Sequence, residues 1–242
     1  MINSRIKDLK NLFNKENIDG YVVPKNDEFF SEFSKIDRLK IISNFSGSAG
    51  YAVILKNKNY LFVDGRYTIQ AQIESGKNFI ITEYHKIVNC NLFKNLTLGI
   101  NPKLFTSNQI KKFFLKNNKI KLIKTDLIKQ NSEKKLNDLR PFFSLDKLIV
   151  GESHKKKLNK MINFLKKNKS NFIFITAPEN VAWLLNIRGY DNPNSPIPNC
   201  HLLLDSKKNL YLIVNKEKAK NLIKEKKVKL SQIVDPNNFQ LL

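Results

Sequence analysis

Residues 43–72 read SNFSGSAGYAVILKNKNYLFVDGRYTIQAQ, and the reading of this stretch decides the fold. Residues 51–55 are an almost wholly apolar run and residues 60–63 are a second. Lys56-Asn57-Lys58-Asn59 between them is a polar turn, so the pair reads as a β-hairpin buried on at least one face. Gly47 and Gly50 flank the entry to the first strand, where the missing side chain lets the backbone bend and approach its neighbours. Asp64-Gly65 then reverses the chain, and residues 67–73 carry helical spacing up to Gly76, read as the helix C-cap. Arg66 therefore stands on the turn between a buried strand and a helix, where α/β proteins display working side chains.

Outward from this stretch, Ile2, Ile6, Leu9, Leu12 and Phe13 fall at helical spacing and predict an amphipathic opening helix stopped by Asp19-Gly20. Tyr21-Val22-Val23 reads as a short strand ended by Pro24, followed by a polar loop or short helix from Asn26. After the central hairpin and helix come strands over 79–82, 98–100 and 120–123, with a helix capped by Ser107 that carries Ile110, Phe113 and Phe114. A short helix over 133–139 is expected before Pro141. A second series then begins. Ser153 is read as the N-cap of a helix with Leu158, Met161, Ile162 and Leu165 on one face. A buried strand over 172–176 follows, then a helix opened by Pro178, a Pro/Asn-rich loop, a hairpin over 201–214, a helix over 216–227 and a strand over 228–234. Helix, strand, connector, hairpin, helix and strand recur in both halves, so the expectation is two similar α/β domains. The second stops before anything equivalent to residues 84–140 and reads as cut off, with an uncovered edge and face.

The composition sets bounds. With 242 residues and 41% hydrophobic content the chain has enough material for packed cores. A formal charge of +22 raises nucleic acid or an anionic surface as partners, but the lysines are dispersed over several helices as solvated residues. Phe13, Phe113, Phe114, Phe164, Phe172 and Phe174 stand at apolar-periodic or strand positions and read as core, not as stacking platforms. Cys90 and Cys200 have no paired spacing; two free thiols in a reducing compartment are expected, with a disulfide left open. The N-terminus lacks an apolar signal core and no run approaches the length of a membrane span, so a cytoplasmic location is expected. His85, His154 and His201 show no metal-ligand spacing, and Ser48 in its Gly-Ser-Ala-Gly turn is neither a nucleophile elbow nor a phosphate cradle.

Residues 43–50 and Val63-Asp64-Gly65-Arg66-Tyr67, followed by Gln70-Ala71, resemble the N-terminal domain of Xaa-Pro aminopeptidases (aminopeptidase P) of the creatinase/prolidase superfamily. The family more often has Gly and Asp where this chain has Asn44 and Ser46. Residues 176–189, TAPENVAWLLNIRG, are similar to a run in the second domain of the three-domain members, and residues 141–153 to their interdomain segment. The resemblance implies two creatinase N-terminal-like (ribonuclease H-like) domains with mixed sheets flanked by helices: residues 1–140, a linker over 141–153, and a truncated second domain over 154–242.

It further implies the non-catalytic N-terminal region of a cytoplasmic metallopeptidase that releases the residue before a penultimate proline. In that family two divalent metals, typically manganese, sit in a C-terminal catalytic domain, so no cofactor, metal site or catalytic residue is expected in this chain. Arg66 is the one substrate-binding candidate, because the family's arginine at this turn faces the catalytic cleft and a guanidinium holds carbonyls or carboxylates in a fixed fork. Its ordinary alternative is an ion pair with Asp64 or with a helix carboxylate. Tyr67 and Trp183 are expected to pack in cores, and Arg188 to cap the helix before it. The expected partners are a peptide with a penultimate proline in the full-length enzyme and a second copy in a homodimer, with no membrane. The competing classes are a stand-alone basic nucleic-acid-binding protein, which the dispersed charge does not favour, and a regulatory or dimerising protein.

Overall fold

The computed structural model describes residues 2–31, 34, 36–88, 92–128 and 138–241; the helix expected over 133–139 falls almost entirely outside them, as does Cys90. The chain divides into two units, Met1–Lys135 and Leu136–Leu242.

The first unit opens with α1 (Ile2–Lys15), whose Ile6, Leu9 and Phe13 are buried as their spacing predicts. It continues through β1 (Gly20–Pro24), α2 (Arg38–Ser43), β2 (Gly50–Leu55), β3 (Asn59–Val63), a 3-10 turn (Gly65–Tyr67), α3 (Thr68–Ser75), β4 (Ile80–Glu83), β5 (Thr97–Ile100), α4 (Ser107–Ile110) with a π-helical extension (Lys111–Leu115), and β6 (Lys119–Leu122). The six strands lie in the order β4-β3-β2-β1-β5-β6. β2 is antiparallel to both its neighbours, β1 and β3, and every other pairing is parallel. Side chains alternate across this sheet. Tyr21, Val23, Ala52, Ile54, Leu61 and Val63 join Leu9, Phe13 and Leu39 in one apolar layer. Val22, Tyr51, Val53, Tyr60, Phe62 and Leu98 join Ile87, Phe93, Leu104 and Phe114 in another. Both faces of the sheet are thus covered.

Three local readings change. α2 was not apparent in the sequence; Asp37 caps it by accepting the Lys40 N–H. Thr106, not Ser107, is the N-cap of α4, in a reciprocal capping box with Gln109. In α3 only Ala71 and Ser75 are buried, and Ile69 and Ile73 face outward. α2 also carries Arg38, fully buried and paired with Glu28 and Asp126 at 2.6 Å each.

The second unit contains β7 (Phe143–Ser144), α5 (Lys147–Val150), α6 (His154–Lys167), β8 (Phe172–Ile175), α7 (Pro178–Leu185), β9 (Ile187–Arg188), β10 (His201–Asp205), β11 (Leu210–Ile213), α8 (Lys220–Lys224) and β12 (Ile233–Val234). Ser153 caps α6 as expected. The main sheet runs β12-β11-β10-β8, and among the described residues β7 pairs with β9 alone. Strand directions repeat those of the first unit, antiparallel for β8/β10 and β10/β11 and parallel for β11/β12. The register repeats too: Val23, Ala52, Leu61 and Ile81 form a row across the first sheet. Ile175, Leu202, Leu212 and Ile233 form the same row across the second. The recurrence of elements is therefore a recurrence of architecture.

Among the described residues the cover is not repeated. β8 reads as buried from its run Phe-Ile-Phe-Ile, yet Phe172 is 66% exposed and Phe174 36%. An apolar run reveals a strand but not which of its faces finds cover. Phe164 on α6 is exposed as well, so three phenylalanines read as core are surface residues, while Phe13 and Phe114 are buried as expected. The helix expected over 216–227 shortens to α8, because Asn215 turns the chain before it and Lys226 takes a left-handed φ of 56° after it. Residues 230–232 form a 3-10 turn that restricts the last strand to Ile233–Val234.

Candidate functional site

In the first unit β1 and β3 run the same way and end side by side across the start of β2. β1 continues into Lys25 and Asn26, and β3 into Asp64. In the sheet β1 has β2 on one side, from which the chain steps outward to β3 and β4, and β5 on the other, to which it then crosses, so the direction of strand addition switches at β1. Crevices at such points, beyond the carboxyl ends of strands, are where open α/β sheets take ligands. A cavity of about 390 Å³ lies here. Tyr51 and Tyr84 form an aromatic wall, their ring centroids 5.5 Å apart, and the Tyr51 hydroxyl accepts from Gln109 Nε2 at 3.2 Å. Burial raises the Tyr51 phenol well above its ordinary value, so it stays a neutral hydroxyl. Ala49 and Gly50 form a close backbone wall; a Cβ on Gly50 would stand 2.8 Å from the Phe62 carbonyl, which explains a glycine there.

The loop after β1 closes another side. The Asp27 carboxylate accepts the N–H groups of Phe29 and Ser31, both at 2.9 Å, and its burial raises its pKa against those two bonds. Phe30 between them is held at a φ of 58°, with its ring half exposed on the cavity wall. The Lys25 ammonium is largely buried and ion-paired with Asp37. Ser48 adds a hydroxyl 3.0 Å from that of Tyr67.

Asp64 lines the cavity, and Arg66 is hydrogen-bonded to Asp64. Asp64 caps the 3-10 turn by accepting the Arg66 N–H at 3.0 Å, and the same oxygen accepts Arg66 Nε at 2.9 Å. These bonds lower the Asp64 pKa and raise that of Arg66. The Arg66 side chain is 78% exposed, with its guanidinium 5.7 Å from the Tyr67 ring centroid, so the pair is worth little to stability and leaves a cation displayed beside Asp64, which lines the cavity. The ordinary reading of Arg66 as a partner of Asp64 and its reading as a displayed side chain hold together. Tyr67 packs edge-on against Phe45, partly buried.

Other candidates resolve differently. Trp183, read as a core anchor, is 57% exposed, because α7 turns its Val181, Leu184 and Leu185 inward instead. The Lys157 ammonium lies 4.3 Å from the Trp183 ring centroid. Lys157 also donates to the Trp183 carbonyl and to Asn186 Oδ1, and Lys227 donates to the Leu185 and Asn186 carbonyls. These two lysines, not Arg188, hold the C-terminal end of α7; Arg188 donates to its neighbour's carbonyl, Ile187 O. Cys200 is buried and free, its thiol pushed up by burial. Among the described residues no group of three or more His, Cys, Asp or Glu side chains is arranged to hold a metal ion, and no helix is long and apolar enough to cross a membrane. Sequence reading found the Asp64–Arg66 turn through Asp-Gly-Arg-Tyr and missed the cavity, whose walls come from segments far apart in the chain.

Two family profiles described as Creatinase/Prolidase N-terminal domain match the chain, one at residues 5–129 and one at residues 133–240. A probable Xaa-Pro aminopeptidase P of Coprinopsis cinerea is 32% identical over 205 residues, spanning 78% of this chain and 33% of that protein. Xaa-Pro aminopeptidase 1 of Dictyostelium discoideum is 27% identical over 247 residues, spanning 92% and 39%. The crystal structure of X-prolyl aminopeptidase from Caenorhabditis elegans, described as a cytosolic enzyme with a di-nuclear active site, matches with a TM-score of 0.85. That match has 23% identity and covers 98% of this chain and 43% of that one, a likeness of fold. The chain spans about a third of the length of the first curated relatives it matches.

Proposed function

We propose, since the chain belongs to the creatinase/prolidase N-terminal domain family, that it is the non-catalytic N-terminal region of a Xaa-Pro aminopeptidase-like metallopeptidase, positioning peptide substrate through Arg66. The carrying observation is the tandem of two such domains within a stretch matching about a third of the relatives' length, with Arg66 displayed on the turn after β3 of the first. We divide the chain into residues 1–140, a linker over 141–153 and a second domain from 154. The peptide substrate carries a penultimate proline, the enzyme works as a homodimer in the cytoplasm, and two divalent ions, manganese by family resemblance, act in a catalytic domain outside this chain. The described residues do not fit such a metal centre, so hydrolysis is not assigned to them.

The test joins this chain to the C-terminal remainder of the Dictyostelium discoideum relative and follows release of the first residue from Xaa-Pro peptides with manganese present. The chain alone is expected to release nothing and the joined protein to be active. Arg66→Ala in the joined protein is expected to raise KM about tenfold with kcat less affected, the pattern of a lost binding contact. An unchanged KM would remove Arg66 from substrate binding. The exposed Phe164, Phe172, Phe174 and Trp183 on a chain of charge +22 give the nucleic-acid reading one specific support. Phe172 and Phe174 lie in register with a face that the first unit covers with protein, which favours a protein cover over stacked bases.

A further inference from the structure

Two features of the first unit that its own packing does not call for stand at or beside one cavity. Gly65 sits between Asp64 and Arg66 with nothing within 4 Å of where a Cβ would stand, and it does not take a left-handed φ. Neither conformation nor packing asks for glycine there; what its missing side chain provides is clearance beside the backbone for something outside the unit. Phe30 is a bulky residue at a φ of 58°, a conformation that costs about 1 kcal/mol or more and that Asp27 imposes through the two N–H groups flanking it. Its ring lines a mouth instead of filling a core. A cavity of about 390 Å³, within the size of ligand pockets, is lined by Phe30 and by Asp64, the residue before Gly65; Phe30, Tyr51 and Tyr84 give it an aromatic lining beside Lys25, Asn26 and Ser48.

We propose that this cavity is a side-chain pocket for a peptide: it receives an apolar, preferably aromatic, side chain of a short peptide that passes Gly65 and sets a carbonyl or its terminal carboxylate against Arg66. The ring walls supply the apolar burial. The Asp64 carboxylate gives one oxygen to both the backbone N–H and Nε of Arg66, and its other oxygen holds only a long 3.4 Å contact to Nη2, so it retains capacity to accept a peptide N–H. The choice of a peptide rests on the peptidase reading above, whereas the preference for an apolar ring rests on the walls alone.

The test titrates the 242-residue chain with the tripeptides Ala-Pro-Phe, Ala-Ala-Phe and Ala-Pro-Ala, following the Tyr51, Tyr84 and Ala49 signals by NMR. Both phenylalanine peptides are expected to bind about tenfold or more tightly than Ala-Pro-Ala, the scale of burying one side chain. Gly65→Val is expected to weaken them about tenfold while leaving the melting temperature unchanged, since the site is open in the unit itself. Ala49→Phe, which fills the cavity, is expected to abolish the preference for phenylalanine. Equal binding of all three peptides, shifts confined to other residues, or an unaffected Gly65→Val would each overturn the pocket. Those results leave the peptidase reading standing, because it is decided separately by the joined enzyme. Equal binding of Ala-Ala-Phe and Ala-Pro-Phe supports the pocket without drawing on proline recognition.

Discussion

β1 and β8 hold the same place in their units, pair with the same kind of neighbour in the same register, and have opposite surroundings. β1 has β5 on its far side and apolar layers over both faces, so Val22 is 1% exposed. β8 pairs only with β10 among the described residues, and Phe174, which corresponds to Val22, is on the surface. The second strand keeps the more apolar sequence and the less buried place. Burial in these units is therefore set by which elements lie over a strand, and the strand's own composition does not report it. Phe172, Phe174, Leu203 and Tyr211 are then the less covered counterpart, among the described residues, of the first unit's second apolar layer, with Leu203 and Tyr211 half-buried and the Phe174 ring 5.7 Å from that of His201.

The largest expected effect comes from placing a charge at the corresponding positions. Val22→Asp buries an unpaired carboxylate between β2 and β5 and is expected to cost about 4 kcal/mol or more, enough to unfold the first unit. Phe174→Asp is expected to change stability by about 1 kcal/mol or less and to reduce self-association. Circular dichroism in urea follows the whole chain, and Trp183, the single tryptophan, follows the second unit. Equal losses for the two variants would mean that the second sheet is covered in solution, and the contrast between the units would fail.

Each unit also buries cations, and Arg38 of the first differs in kind from Lys157 of the second. Arg38 meets two carboxylates, Glu28 and Asp126, whereas Lys157 meets a carbonyl and the side-chain amide of Asn186. Arg38→Ala leaves two partly buried negative charges and is expected to cost about 3–5 kcal/mol. Lys157→Met removes neutral acceptors' partner while keeping much of the volume, and is expected to cost about 1–2 kcal/mol. Thermal unfolding of the two variants checks the order; a reversal would place the structural weight in the helix-end lysines of the second unit.

What the sequence allows to be read follows from how local the cause is. The central hairpin is readable because its two apolar runs and polar turn lie within a dozen or so residues, and the Asp64–Arg66 pair because an Asp at a turn reaches N–H groups two residues on. The helix at Arg38–Ser43 escaped because six residues carry too little periodicity. One of the two carboxylates that hold its Arg38, Asp126, is 88 positions away. Trp183 was misplaced because the apolar run of α7 is broad enough to offer several candidate inner faces, and the neighbours chose Val181, Leu184 and Leu185. The cavity was invisible because Lys25, Ser48, Asp64 and Tyr84 share no sequence pattern and converge only when β1, β2 and β3 pair.

The smallest expected effect separates the units by pH. Tyr51 and His201 stand one residue before the corresponding Ala52 and Leu202, and burial keeps each neutral by moving its pKa, upward for the phenol and downward for the imidazole. Only the imidazole titrates near neutrality. The Thr176 carbonyl, 3.0 Å from Nδ1, offsets part of the His201 shift. His154 is lowered likewise, first by burial and then by Lys227 and Lys155. Both histidines bind protons more readily unfolded than folded, so below their ordinary value of about 6.5 the unfolded chain gains protons first. Stability present above that pH is therefore lost as pH falls from about 6.5 through the lowered folded values. The melting temperature of the second unit, read by Trp183, is expected to drop a few degrees between about pH 7 and pH 5. Replacing His154 by Gln and His201 by Asn is expected to make that drop about half as steep, with carboxylate contributions common to both proteins. If the drop is unchanged, the imidazoles are solvated in both states, and the face around His201 is more open than its burial indicates.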